Sequence, residues 1–428
     1  MTNYQRVRRL DVFRCMSDGA QVAVGTLAQN ESGVYFQYDS VYLSRYTSLS
    51  PFKLAFSSEL HLAPAEPHWV LHGVFADSLP DGWGMLLMDR IFRQRGIAPQ
   101  QITAMDRLAY IGERGMGALS YRPSAELENN RDQHWLDLDH LGKEAQAIYD
   151  GETELVLAEL ARVGGSGGAR PKAQIYFDSD FPAHASSHMR PGLQPWLVKF
   201  TSRSLPLQHE ESLCEAAYLQ MAANAGINVP DWKLINAEST SNAIAWLALR
   251  RFDCTPAGRF HMHSACGLMD ASFRAPSMDY MDLIKITQKL CKSVAAGQNV
   301  FARALFNLFG LNQDDHTKNW AYLMDDNGNW NLSPAYDVTF SPNANNEHMM
   351  AFNGYGKTPP LAIIQQLAKA ANFSDWSDAK EVVQKMLDAF SDWQSIATDL
   401  GVKASTRKLI GNQLANQQKI YRALYNLR

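Results

Sequence analysis

The chain has 428 residues, 46% of them hydrophobic and 20% charged, with a formal net charge of −4. That length is enough for two or three domains with real cores, and the composition is that of a globular protein, which excludes a disordered, fibrous or disulfide-stapled chain. The small negative balance excludes whole-protein attraction to nucleic acid or an anionic membrane, though a local basic patch stays open. Cys15, Cys214, Cys254, Cys266 and Cys291 are odd in number, scattered and without a CxxC pair, which suits a reducing cytosol and no zinc ribbon. The basic N-terminus MTNYQRVRRLDVFRC lacks the apolar core of a signal peptide, and no run of about 18 apolar residues offers a membrane span. A cytoplasmic location is expected.

In chain order, RLDVF, QVAVGTLAQ and GVYFQYD alternate as short strands closed by polar or glycine-containing turns. WVLHGVFADSLPDGWGMLLMDRIFRQRG turns helical in its later half, with Gly96 as the stop, and LAYIGERGMGALSYRP returns to glycine-punctuated strand character. A first domain is expected to close near residue 125. A helical stretch, EAQAIYDGETELVLAELARVGG, then leads into GGSGGARPK and the strand AQIYF. DSDFPAHASSHMRPG reads as a mobile turn before the strand PWLVKF. HEESLCEAAYLQMAANAGI has helical spacing with Gly226 at its C-terminal cap, and NAIAWLALRRFD reads as a buried strand and its exit. Beyond residue 255 the helical patterns lengthen, through MDLIKITQKLCKS, NVFARALFNLFG, AKEVVQKMLDAFSDWQSIA and STRKLIGNQLANQQKIYRAL. A strand-rich middle (126–254) before a helix-rich end (255–428) describes a bilobal α+β protein.

The chemistry concentrates in GLNQDDHTKNW. Asn319 follows Asp314 by five positions, the spacing of the aspartate and asparagine in a kinase catalytic loop. Such an Asp accepts or orients a hydroxyl proton, and such an Asn reaches magnesium. A second carboxylate stands 18 residues on, at Asp337 in LSPAYDVTF, after a strand–turn–strand pattern. Positive charge for a triphosphate is offered by Lys199 in WLVKF, with Glu215 as its helical partner or Glu211 as the alternative. Upstream, GGSGGARPK places four glycines in five residues, whose backbone N–H groups at Gly167, Gly168 and Ala169 can curl around an anion, with Lys172 entering the next strand. No Walker A pattern is present. Each element alone is commonplace; the order glycine loop, strand lysine, helix glutamate, D-x4-N and aspartate is not.

GGSGGARPKA, WLVKF, AAYLQMAANAGI, RRFD, NQDDHTKN and LSPAYDV together resemble the HipA family of bacterial serine/threonine kinases, and LPDGWGMLLMDR and GERGMGAL resemble its N-terminal region, so the likeness covers nearly the whole chain. The resemblance implies a bilobal kinase-like fold using ATP and Mg2+, with Asp314 catalytic, His316 and Lys318 completing its loop, Asn319 and Asp337 on magnesium, and Lys199 on the phosphates. It also implies an adenine-side hinge at RRFD, with Arg250 and the ring of Phe252 near the base. Family members are toxins that phosphorylate aminoacyl-tRNA synthetases and are held by a DNA-binding HipB-type antitoxin, so DNA contact is expected only through that partner. Many autophosphorylate a serine in the glycine loop. Ser166 is the only hydroxyl there, but the family's serine stands one place earlier, where this chain has Gly165.

Plainer readings stand beside these. Asp315 is expected to support the loop or to be solvated, His316 to be a hydrogen-bonding partner, and Trp83 and Trp320 to be core aromatics. Two other functions compete with the protein kinase: a pseudokinase that sequesters a partner, and a kinase acting on a lipid or small molecule.

Overall fold

The computed structural model describes residues 4–124, 135–156, 158–163, 168–178, 181–237 and 242–427. Strand β1 (Arg9–Cys15) alternates as its sequence predicts, turning Leu10, Val12 and Arg14 inward. It pairs antiparallel with β2 (Gln21–Asn30). With β3 (Gly33–Tyr38), the two-residue β4 (His61–Leu62) and β5 (Leu119–Arg122) it forms a sheet of order β4-β3-β2-β1-β5. The third inward position is not apolar. Arg14 is fully buried and donates to the carbonyl of Asp325, 2.8 Å away, which fastens this first sheet to a distant hairpin.

Two expectations fail in the same region. LAYI lies in the helix Ala104–Ile111, started by a capping box between Thr103 and Asp106, and only Leu119–Arg122 of that stretch is strand. The single helical stretch expected over EAQAIYDGETELVLAELARVGG (144–165) is instead parts of two helices, Leu138–Tyr149 and Ala158–Val163.

The second sheet has the order β7-β6-β8-β10-β9, antiparallel throughout. Its strands are β6 (Lys172–Asp178), β7 (Phe181–Ser186), β8 (Gln194–Lys199), β9 (Trp232–Asn236) and β10 (Ala245–Arg250). The segment expected to be a mobile turn therefore carries the edge strand β7. The helix Glu211–Asn224 packs beneath this sheet. It is buried nearly all round, which is why its apolar residues show no one-sided stripe.

A third sheet, β11 (His261–Ser264), β12 (Ala321–Met324) and β13 (Trp330–Leu332), opens the helical lobe. There Tyr280–Cys291 and Val294–Phe309 pack side by side, each started by a polar cap (Asp279 and Ser293), with Trp376–Asp388 and Ala404–Tyr425 behind them. The pattern AKEVVQKMLDAFSDWQSIA is interrupted: a 3-10 turn, Ala389–Asp392, separates Trp376–Asp388 from Trp393–Asp399. Among the described residues no helix is long and apolar enough to cross a membrane.

Candidate active site

The helix Val294–Phe309 ends at Gly310, Leu311 takes a left-handed φ of 53°, and the chain runs on as an alternating loop. Gln313, Asp315 and Thr317 turn inward and are buried, while Asp314, His316 and Lys318 face outward. This alternation explains a polar stretch beside an apolar helix: every inward polar group has a partner. Asn312 Nδ2 donates to Asn307 Oδ1 at 2.9 Å, and Gln313 spans Asn343 N and Asn346 Oδ1 at 2.7 and 2.8 Å. Asp315, expected to be solvated or supporting, is 1% exposed. Its carboxylate accepts from Tyr280 Oη at 2.5 Å and from the amides of Met349 and Met350 at 2.8 and 3.3 Å, and it lies 2.9 Å from His348 Nδ1. It is a structural anchor, and the anchor aims its neighbour Asp314 outward. The Asp314 side chain is 65% exposed, with His316 Nε2 at 3.8 Å. Asn319 Nδ2 donates to the Asp314 carbonyl at 2.8 Å, so the amide oxygen is left facing away from that bond.

Across from this loop, the register of the second sheet places Lys172 of β6 directly opposite Lys199 of β8. Two ammonium groups facing each other across neighbouring strands repel, and both side chains are buried. The arrangement holds because carboxylates converge on it. Lys199 Nζ donates to Glu215 Oε1 at 2.5 Å and also to Asp337. Asp337 takes a left-handed φ of 52°, a strained conformation that aspartate tolerates better than most residues. Burial disfavours the charged form of all three groups, yet at Lys199 the two carboxylates outweigh it and the ammonium is held above its ordinary value. At Asp337 the Lys199 and Lys172 charges outweigh burial and drive the carboxyl far below the usual range. Lys172 goes the other way: burial pushes it below its ordinary value against the pull of Asp337, Asp81 and Glu215. Glu211 does not serve Lys199. It pairs with Arg170 at 3.0 Å.

Between loop and sheet lies a cavity of about 460 Å³, within the size range of small-molecule sites. Gly168, Ala169, Lys172, Arg250, Phe252, Asp314, His316, Lys318, Asn319 and Asp337 all contribute to its wall. Lys199 and Glu215 sit behind Asp337, outside the lining. Gly167 and Ser166 lie outside the described residues. Partial enclosure in the wall, together with Asp337, raises Asp314 above the ordinary carboxylate range, although His316 pulls against the shift.

The RRFD segment divides its roles. The ring of Phe252 faces Tyr336 at 5.6 Å and Arg250 lies over Trp196, both at the cavity. Arg251, also in the cavity wall, forms with Asp253 a buried pair at 2.6 Å that also holds Gln174 and the amide of Gly117. Residue spacing did not reveal Asp81 and Arg170. Asp81 sits in LPDGWG, where Asp before Gly at a helix start reads as a cap; it makes no cap bond and reaches instead to Gly168 and to Lys318.

A strand lysine paired with a helix glutamate, a loop aspartate at the mouth of a cavity, and a second aspartate beneath it make up the layout of a protein-kinase-like fold. The sequence matches the HipA-like C-terminal domain over residues 164–394 and the HipA N-terminal domain over residues 19–122. The chain belongs to the HipA family. It is 27% identical over 209 residues to a protein of Sinorhizobium fredii (strain NBRC 101917 / NGR234) named "Putative kinase Y4dM", covering 44% of this chain and half the length of that relative. Its fold is similar to that of HipA in the Shewanella oneidensis MR-1 complex of HipA, HipB and operator DNA, with a TM-score of 0.68, 14% identity and 98% of each chain covered.

Proposed function

We propose that this chain is a Mg-ATP-dependent serine/threonine protein kinase of the HipA type, acting as the toxin of a toxin–antitoxin pair. The observation that carries the reading is the buried pair Lys172 and Lys199, opposed in register, with Lys172 and Asp337 in the wall of the cavity that also takes in Asp314, and Lys199 bonded to Asp337 from behind. A chain gains nothing in stability by burying two opposed lysines, one in the wall of an open cavity and one behind it; an anionic ligand gives the arrangement a use.

The donor set fits magnesium. Asn319 and Asp337 supply hard oxygen ligands to the cavity, and no group of three or more His, Cys, Asp or Glu able to cage a metal occurs among the described residues. An ion held by one or two protein oxygens and completed by phosphate and water is how magnesium binds. When bound, it neutralises charge on the phosphates. Lys172 faces the triphosphate in the cavity, Lys199 adds positive charge from behind Asp337, and Phe252 and Arg250 contribute to the wall. Asp314 accepts the proton of the acceptor hydroxyl as that oxygen bonds to the γ-phosphorus and the bond to the ADP oxygen breaks. Its raised pKa suits a group that takes up a proton.

The acceptor is a protein, with aminoacyl-tRNA synthetases as the class the family implies, and Ser166 is the candidate for autophosphorylation. A HipB-type antitoxin is the expected partner, since the Shewanella relative is described in complex with HipB and operator DNA; DNA contact then comes through that partner, in the cytoplasm. The test is transfer of labelled γ-phosphate, with magnesium, to the chain itself and to a bacterial lysate, with Asp314→Ala as control. Label that disappears in the variant supports the reading. ATP binding without transfer favours a pseudokinase, transfer only to a lipid or small metabolite favours the third reading, and no nucleotide binding refutes all three.

A further inference from the structure

We propose that Asp81, in the N-terminal domain, is a positioning residue of the phosphoryl-transfer site, acting through Lys318 and Gly168; this rests on the kinase reading above. Its carboxylate is 5% exposed and lies in the cavity wall. One oxygen accepts from the amide of Gly168, at the downstream end of the glycine-rich loop, and the other lies 3.3 Å from Lys318 Nζ in the loop of Asp314. One side chain thus ties together the two segments that flank the transferring phosphate. Asp81 occupies the N-cap position of Gly82–Gln94 but makes no side-chain cap bond, so its carboxylate is directed away from its own helix.

The surrounding contacts fix that direction. The Trp83 amide donates to the Gly168 carbonyl at 3.1 Å and Trp83 Nε1 to the Lys172 carbonyl at 2.9 Å. A Cβ at Gly82 would stand 2.5 Å from Ala169 Cα, so the turn and the loop are in contact at their backbones. Lys318 has a long, flexible stem. Its ammonium group also lies 4.4 Å from the ring of Phe273 and attracts the Asp77 carboxylate, but of the described carboxylates only Asp81 pairs with it within 4 Å. Removing the Asp81 charge takes away the one ion pair at that ammonium among the described residues, while an amide at 81 still accepts from Gly168.

The experiment is a double-mutant cycle with Asp81→Asn and Lys318→Gln, reading the rate of γ-phosphate transfer, with ADP affinity as a check on the folded site. D81N alone is expected to slow transfer on the order of 10- to 100-fold, the range for outer partners that orient a reactive ligand. In the K318Q background the same change is expected to cost under about threefold, because a residue acting through another gives non-additive losses. ADP affinity stays within about threefold throughout. Losses that multiply independently, or D81N working at the wild-type rate, overturn the proposal and leave the kinase reading intact. A wild-type protein that binds nucleotide but transfers nothing, or that binds none, overturns both.

Discussion

Replacing Asp315 with alanine tests whether the loop is held from beneath. The buried carboxylate receives Tyr280 Oη and the Met349 amide in good geometry, the Met350 amide at longer range, and faces His348 Nδ1. Alanine leaves at least two buried donors without an acceptor, at about 1–3 kcal/mol each. A total loss of about 3–5 kcal/mol follows, the range for removing one member of a buried charged cluster. At this chain length Tm moves by about 1–2 °C per kcal/mol, so D315A should melt roughly 3–10 °C below the wild type. Asp315→Asn keeps one oxygen for the 349 and 350 amides and should lose about half as much. Thermal melts followed by circular dichroism at pH 7 decide it. D315A within about 2 °C of wild type would refute the anchoring argument. So would equal losses in the two variants, since only the number of donors left bare separates them.

Lys199→Met removes transfer and strands Glu215 against Asp337. The destabilisation, about 3–5 kcal/mol at pH 7, should shrink in K199M/E215Q while activity stays lost; denaturant midpoints and the transfer assay check the two halves. On the proposed mechanism, in which Asp314 accepts the proton, the acid limb of the transfer rate should lie above the ordinary aspartate range, because that carboxyl is raised; a limb at or below about pH 4 would contradict this. Burial lowers His68, puts His72 at about 4 and takes His261 well below its ordinary value. These three histidines therefore bind more protons in the unfolded chain than in the folded one below about pH 6.5, so their contribution to stability is full above that pH and is lost as pH drops. His261→Gln should flatten the fall in Tm between about pH 6.5 and 4.5, and an unchanged slope would show that burial does not hold this histidine neutral in the folded chain.

The elements legible in the sequence were those with a strong period or a terminator. Leu10, Val12 and Arg14 alternate as a strand should, and the helices Tyr280–Cys291 and Val294–Phe309 carry both spacing and caps. The LAYI segment was misread because the glycines after it outweighed a capping box three residues before Asp106. β7 was misread because its histidine, proline and serine content is that of a turn, while the pairing that makes it a strand comes from β6. Within the candidate site, order and spacing offered Lys199 with Glu215 or Glu211 and set Asp337 apart as a magnesium ligand; that Glu215 and Asp337 both meet Lys199 comes from the fold. The pairing of Lys172 with Lys199 could not, because register is a tertiary property. Asp81 was hidden for the same reason: it reaches Lys318 across more than two hundred residues.

That long reach bears on how the chain divides. By sequence the N-terminal match ends at residue 122 and the C-terminal match starts at 164. The buried polar contacts ignore that division. Asp77 lies 2.6 Å from His263 Nδ1 and accepts from Ser264 Oγ at 2.6 Å, and His263 Nε2 meets Ser50 Oγ at 3.0 Å. Asp253 accepts from the Gly117 amide at 2.7 Å, while Arg259 donates to the carbonyls of Glu113, Gly115 and Gly117. Cutting between the matches would expose or orphan each of these groups, and an unpaired buried polar group costs more than a lost surface contact. A fragment starting at residue 164 should therefore fold poorly alone and recover when the N-terminal piece is supplied in trans. Soluble expression and co-purification of the two pieces measure this. A C-terminal fragment with the melting temperature of the whole chain would mean that the crossing contacts contribute little, and that Asp81 sits near the cavity without being coupled to it.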